Sequence, residues 1–216
     1  MNKIIIVDDH SLFREGIKLL IENEGFGQVI AEAENGQVLL ELLANNQPDL
    51  VIMDIEMPVM GGLEATQKAL QIRPDLKIMV LTMLSERANY LDMINAGAVG
   101  FVLKTSGKQE FERAIKTIMN GESYFSNELL RQIILNDSRH KPAAESSEFA
   151  AIKLTSREKE ILQHFCEGLT VSEIATKLFL SPKTIEAHRS TLLKKTNAKN
   201  TINLVLHAIK HKIVEI

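Results

Sequence analysis

The sequence predicts two domains of different class: an α/β domain on a doubly wound, five-stranded parallel sheet, then a small all-α domain of four helices. Three observations carry this reading. Strand-like and helix-like segments alternate from Lys3 to Gly121, the order that builds a parallel sheet with crossover helices. Several strand-like runs are apolar without alternation, as expected where helices cover both faces of a sheet. From Leu154 onward only helical patterns remain.

The strands are read as 3–7, 28–33, 49–53, 77–81 and 100–103. Between them Ser11–Glu24, Asn35–Asn46, Gly62–Ile72 and Glu86–Ala96 carry apolar residues at helical spacing. A fifth helix is expected from Ser106, where Ser106 and Gln109 have capping-box spacing. Asn127–Asn136 reads as one more short helix, and 137–153, with Pro, Ser, Ala and mixed charge, reads as a linker. The expected boundaries are therefore 1–121 for the α/β domain, 122–153 for helix and linker, and 154–216 for the helical domain.

In the helical domain each segment has its own start signal. Thr155 with Glu158 and Thr170 with Glu173 are capping boxes, and Ser181 precedes Pro182 as a cap before a first-turn proline. Gly168 closes the first helix. The next two are read as Leu169–Leu178 and Pro182–Thr196, with Ile174, Ala175, Leu178, Ile185 and Leu192 as core. The last, Asn200–Lys212, has Ile202, Leu204, Val205, Leu206, Ala208 and Ile209 on more than one face. One side is expected to pack on its own domain and another on a partner.

Charge separates the halves. Residues 1–130 hold 11 Lys+Arg against 19 Asp+Glu, whereas residues 151–216 hold 11 against 6. A net of −8 joined to a net of +5 points to different partners, with nucleic acid for the basic half. The single cysteine, Cys166, excludes an intramolecular disulfide and reads as a small buried hydrophobe. No apolar run has membrane-spanning length and the chain runs straight into its first strand, so the expectation is a cytoplasmic protein without membrane contact.

Asp8-Asp9, Asp54, Thr82 and Lys104 fall at or just past the ends of the runs Ile4–Val7, Leu50–Met53, Ile78–Leu81 and Phe101–Leu103. In an open α/β sheet the chemistry collects outside those strand ends. Three carboxylates resist ionising together unless a cation lies among them. Mg2+ fits, because it takes a few carboxylate oxygens, keeps waters and accepts phosphate oxygens. One carboxylate is then a nucleophile able to form an aspartyl phosphate. Lys104 would give the phosphoryl oxygens a positive charge and Thr82 a hydroxyl.

This constellation, with the segment Asp54-Ile-Glu-Met-Pro-Val-Met-Gly-Gly62, resembles the receiver domain of two-component response regulators, which is flavodoxin-like in fold. The resemblance spans residues 3–121. It implies that a sensor histidine kinase phosphorylates Asp54. It also implies that Asp9 and Asp54 bind Mg2+ with help from Asp8 and the backbone carbonyl of Glu56. Phe101 stands at the family's switch-aromatic position, which turns inward as Thr82 moves toward the phosphoryl group. Thr105 follows Lys104 where many receivers have proline, so no cis peptide is expected there.

The segments Leu154-Thr-Ser-Arg-Glu-Lys-Glu-Ile-Leu, Gly168-Leu-Thr-Val-Ser-Glu-Ile-Ala and Leu180-Ser-Pro-Lys-Thr-Ile-Glu-Ala-His resemble the LuxR-type helix-turn-helix, and the whole chain resembles the NarL/FixJ response regulators. Pro182–Thr196 would be the recognition helix in the major groove. Lys183, Thr184, His188, Arg189, Lys194 and Lys195 lie on or beside it and reach phosphates or base edges. By family position Glu186, Ala187 and Ser190 face bases. In relatives, phosphorylation reshapes the surface at about 85–102 and either frees the DNA-binding helices or promotes homodimerisation.

The resulting expectation is a phosphorylation-dependent transcriptional regulator of double-stranded promoter DNA, a phosphoacceptor and not an enzyme beyond its own dephosphorylation. A phosphatase of the haloacid-dehalogenase type needs a second Asp two residues after the nucleophile, and Glu56 stands there. A nucleotide-binding reading lacks a glycine-rich loop after the first strand. The remaining alternative, a transcription factor gated by a ligand or partner without phosphorylation, leaves the acidic site unexplained.

Overall fold

The computed structural model describes residues 1–83, 90–126, 154–198, 200–211 and 213–214, and divides the chain into two compact units, Met1–Tyr124 and Phe125–Ile216. The expected helix at 127–136, the linker, residues 84–89 and the end of the last helix at Lys212 lie outside the described residues.

The first unit alternates β1 (Lys3–Val7), α1 (Ser11–Asn23), β2 (Gln28–Ala33), α2 (Gly36–Leu43), β3 (Leu50–Met53), α3 (Gly62–Ile72), β4 (Lys77–Thr82), α4 (Tyr90–Ala96), β5 (Gly100–Leu103) and α5 (Lys108–Met119). The sheet order is β2-β1-β3-β4-β5-β6, with the first four pairings parallel. The sixth strand, β6 (Tyr124–Phe125), corrects the expected five. At two residues it has no period to read, and Tyr124 N–H joins it to the Val99 carbonyl at 3.0 Å.

Two cores explain why the strands read as unbroken apolar runs. Ile4 and Ile6 of β1 pack toward Ile21 of α1 and Ile115 of α5, whereas Ile5 and Val7 pack toward Leu39 of α2 and Ala65 of α3. β1, β3, β4 and β5 are thus buried almost throughout, whereas the edge strand β2 is mostly half-buried. The order around β1 and β3 makes their carboxyl ends the point where the winding reverses, the usual ligand crevice of such sheets.

Most start signals act as read. Asn35 caps α2, accepting from Val38 N–H at 3.1 Å. The expected capping box at Ser106 is absent: α5 begins at Lys108 with Gly107 as its cap. Ser106 N–H is instead committed to the Leu103 carbonyl at 2.9 Å, in the turn that leaves β5. The Lys104–Thr105 peptide is trans, as expected.

The second unit contains α6 (Ser156–Cys166), α7 (Val171–Lys177), α8 (Pro182–Thr196) and α9 (Thr201–Lys210). Both capping boxes are formed, and Ser181 accepts from Thr184 N–H in front of Pro182. Asn200 caps α9 through Ile202 and Asn203 N–H. Ile174, Ala175, Ile185 and Leu192 are buried, while Leu178, at the end of α7, is half-buried. On α9, Ile202, Leu204, Val205 and Ala208 are buried; Leu206 and Ile209 are only partly covered. Cys166 is buried and its thiol is pushed up to about 12, chiefly by desolvation, which removes it as a nucleophile.

Among the described residues two bulky side chains, Val59 and Phe179, sit at left-handed backbone angles, and Val59 is the β-branched one. Val59, in the loop from β3 to α3, has φ 67 and is 85% exposed. A β-branched residue there costs about 1–2 kcal/mol. Val59→Asn, which tolerates that region, is expected to raise stability in urea unfolding by about 1 kcal/mol. An unchanged or lower midpoint would refute the strain.

Candidate functional site

Strand register delivers the site. β1 and β3 pair with Val7 opposite Met53, so Asp8 and Asp54 follow on adjacent strands. Asp54 N–H donates to the Val7 carbonyl at 2.8 Å, and Asp8 N–H to the Ala33 carbonyl at 3.1 Å. On the other side β4 and β5 pair Thr82 with Leu103, and Lys104 N–H donates to the Thr82 carbonyl at 2.8 Å. The start of α3 presses on the same point, since a Cβ at Gly62 would collide with the Asp54 carbonyl oxygen.

One ammonium closes the notch. Lys104 Nζ lies 2.6 Å from Asp8 Oδ2 and 2.6 Å from Asp54 Oδ2, and all three side chains are nearly buried. The same Nζ sits 4.8 Å from the centre of the Phe13 ring. Burial raises the Asp54 carboxyl above its ordinary value; Lys104 opposes this, while the neighbouring Asp8 adds to it. Burial pulls Lys104 down, but its hydrogen bonds to Asp54 and Asp8 outweigh that and leave it raised. The two directions agree physically, because one cation shared by two carboxylates serves itself better than either of them.

Asp8, Asp9, His10 and Asp54 each place a ligand atom within 4.8 Å of the others, and Asp9 and His10 are exposed. Three hard carboxylates beside an open rim suit a cation that keeps part of its water, as Mg2+ does. His10 is the member that sequence reading missed. Its Nδ1 lies 2.9 Å from Asp9 Oδ1 and 3.2 Å from Asp8 Oδ1, and its place directly after the acidic pair was the available signal. Arg14 was also missed: its guanidinium donates to the Asp8 carbonyl, bracing the acidic turn from α1.

The other expected residues are placed as follows. Thr82 is buried and its hydroxyl donates to the Met83 carbonyl at 3.1 Å. Phe101 is fully buried. Glu56 is exposed in the loop after Asp54.

On α8 the expected DNA contacts divide. Lys183, Ala187, Ser190 and Lys194 recur at helical spacing and are exposed, opposite the buried Ile185, Leu192 and Thr196. Thr184 is drawn into the cap, its hydroxyl 2.8 Å from Ser181 Oγ, and His188 is half-buried. Lys195 is committed within the unit, with Nζ 2.8 Å from both oxygens of the buried Glu158. Burial pushes Glu158 up, but Lys195 and the Thr155 cap outweigh it and hold its carboxyl below the usual range. Glu186 and Arg189 pair with each other at 2.8 Å.

The chain matches two family models: the response regulator receiver domain over residues 4–116, and the luxR family of bacterial regulatory proteins over residues 153–208. It is 36% identical over 216 residues to the response regulator GacA of Pseudomonas aeruginosa, covering 100% of this chain and 99% of that protein. It is 35% identical over 211 residues to the response regulator UvrY of Escherichia coli, covering 98% and 95%. Among solved structures it resembles the response regulator RcsB in complex with DNA, with a TM-score of 0.58 and 27% identity over 95% of this chain and 96% of that one. A LuxR-family response regulator from Aurantimonas sp. SI85-9A1 gives a TM-score of 0.58 and 34% identity over 65% and 99%. Among the described residues no helix is long and apolar enough to cross a membrane.

Two outcomes follow from the shared ammonium. Lys104→Met is expected to lower metal-free stability in urea by about 2 kcal/mol, and Mg2+ to stabilise the variant more than the unaltered chain. Equal responses to Mg2+ would contradict the sharing. Because the folded-state pKa of Asp54 lies above its unfolded value, its contribution to stability falls as pH rises through that window. Without metal, Asp54→Asn is therefore expected to be more stable than the unaltered chain at neutral pH. The gap should close as pH falls into the ordinary carboxylate range; a gap that widens instead would reverse the sign.

Proposed function

The chain belongs to the two-component response regulators that join a receiver domain to a LuxR-type DNA-binding domain, and on that footing we propose that Asp54 accepts a phosphoryl group from a sensor histidine kinase and so changes promoter binding. The observation that supports this most directly is the notch itself, in which Asp8, Asp54 and Lys104 meet at 2.6 Å. We assign the receiver to residues 1–121, the connecting segment to 122–153 and the DNA-binding domain to 154–216.

An Asp54 carboxylate oxygen bonds to phosphorus while the phosphohistidine P–N bond breaks and its electrons leave with the kinase imidazole. Asp8, Asp9, Asp54 and the Glu56 carbonyl would hold Mg2+, which when bound neutralises charge on the transferring oxygens. Lys104 turns from the carboxylates to a phosphoryl oxygen, and the Thr82 hydroxyl leaves the Met83 carbonyl to donate to another. Phe101, already buried, occupies the inward end of the accompanying movement. The chain is a phosphoacceptor whose only turnover is its own dephosphorylation.

The altered surface around α4 and β5 then favours a homodimer on DNA, as RcsB dimers are seen bound to DNA. A few kcal/mol of difference between the two states is enough to invert their populations. In the duplex, α8 enters the major groove; Lys183 and Lys194 contact phosphates, with Ala187 and Ser190 toward base edges. The start of α8, where the Ser181 cap holds the Thr184 N–H, turns the positive end of the helix dipole to a phosphate. Kinase and promoter are met together in the cytoplasm. A reading without phosphorylation has no observation in its favour.

Beryllofluoride, a mimic of the phosphoryl group, is expected to raise affinity for promoter DNA about tenfold or more, corresponding to ~1.4 kcal/mol or more of coupling. Asp54→Asn should abolish the response while leaving basal binding. Identical binding curves for the two proteins, measured by fluorescence anisotropy with beryllofluoride, would refute the coupling.

A further inference from the structure

The exposed stripe of α8 is Lys183, Ala187, Ser190 and Lys194. Arg189 is not on it. It lies on a flank, with its side chain 20% exposed and its Nε buried, and its Nη2 is 2.8 Å from Glu186 Oε2. Glu186, on the same flank but next to the stripe, is 40% exposed. Lifting Arg189 to a phosphate would break this pair and leave a lone carboxylate facing a polyanion. A carboxylate has about four acceptor positions, and the arginine occupies one of them. Glu186 therefore stands at the edge of the reading face, its charge balanced from within the protein, with acceptor capacity to spare.

What an acceptor can meet in a major groove is limited to exocyclic amino groups, and a carboxylate suits the cytosine N4 amino group. We infer that Glu186 reads a cytosine in each operator half-site and that Arg189 is a positioning residue for it, not a contact to DNA. The inference rests on α8 being the reading helix of the proposed function. It gives the operator a required G·C pair at one position and removes Arg189 from the phosphate contacts.

The test is selection from a pool of randomised duplexes with the full-length, beryllofluoride-treated protein, followed by salt titration on the selected sequence. The unaltered chain should enrich cytosine at one position per half-site by about fivefold or more over other bases. Glu186→Ala should flatten that position and leave the rest of the motif intact. Glu186→Gln should move the preference there toward adenine, whose N6 and N7 match an amide. Arg189→Met should weaken the cytosine preference without changing the slope of log affinity against log salt, and Arg189→Lys, which keeps charge but not the fork, should fall between. Retained cytosine preference in Glu186→Ala overturns the inference. So does a slope smaller by about one in Arg189→Met, the mark of a lost phosphate contact. Should an Arg189 variant fail to fold, Glu186→Ala, which removes a half-exposed carboxylate and leaves the arginine in place, still tests the inference by itself. Failure of the unaltered chain to enrich any sequence would instead sink the DNA-reading function.

Discussion

The ammonium of Lys104 between Asp8 and Asp54 is the contact on which the first unit's chemistry depends. Two carboxylates forced together by adjacent strand ends would otherwise repel at short range in a partly dry notch. One positive charge shared by two carboxylates relieves both incompletely and leaves the notch with negative charge to spare. A full set of counter-charges would make the notch inert. The arrangement leaves an electrostatic demand unmet.

The scaffold fixes this geometry through backbone bonds, not through the reacting side chains. Asp54 and Lys104 each hang from a strand-to-strand N–H bond of 2.8 Å. Gly62 lets α3 approach the Asp54 carbonyl where a side chain could not fit. The reactive groups are thus free to exchange partners while their attachment points stay put.

Much of this was legible in the sequence because the strands are buried on both faces and end at chemically distinctive residues. Four short runs of Ile, Val, Leu, Met and Phe located the strands around the site, and the polar residue after each located the site itself. What escaped was governed by contacts that sequence spacing does not encode. β6 has two residues and no period. Ser106 has capping-box spacing, yet the turn after Leu103 takes its N–H first. Lys195 looks like a free cation on a helix, but a partner 37 positions away claims it. His10 was visible beside the acidic pair, but only coordinates bring its ring within reach of both carboxylates.

Every described helix of the second unit is capped by a side chain at its start, and α8 also ends in a left-handed Asn197 at φ 52. Segments finished in this way carry their order with them. A reader of this kind meets its target as a rigid insert, with no coil-to-helix ordering entropy to overcome on docking. Discrimination between sequences then falls to shape and hydrogen-bond match at first encounter, and little adjustment of the backbone is left to rescue a poor one.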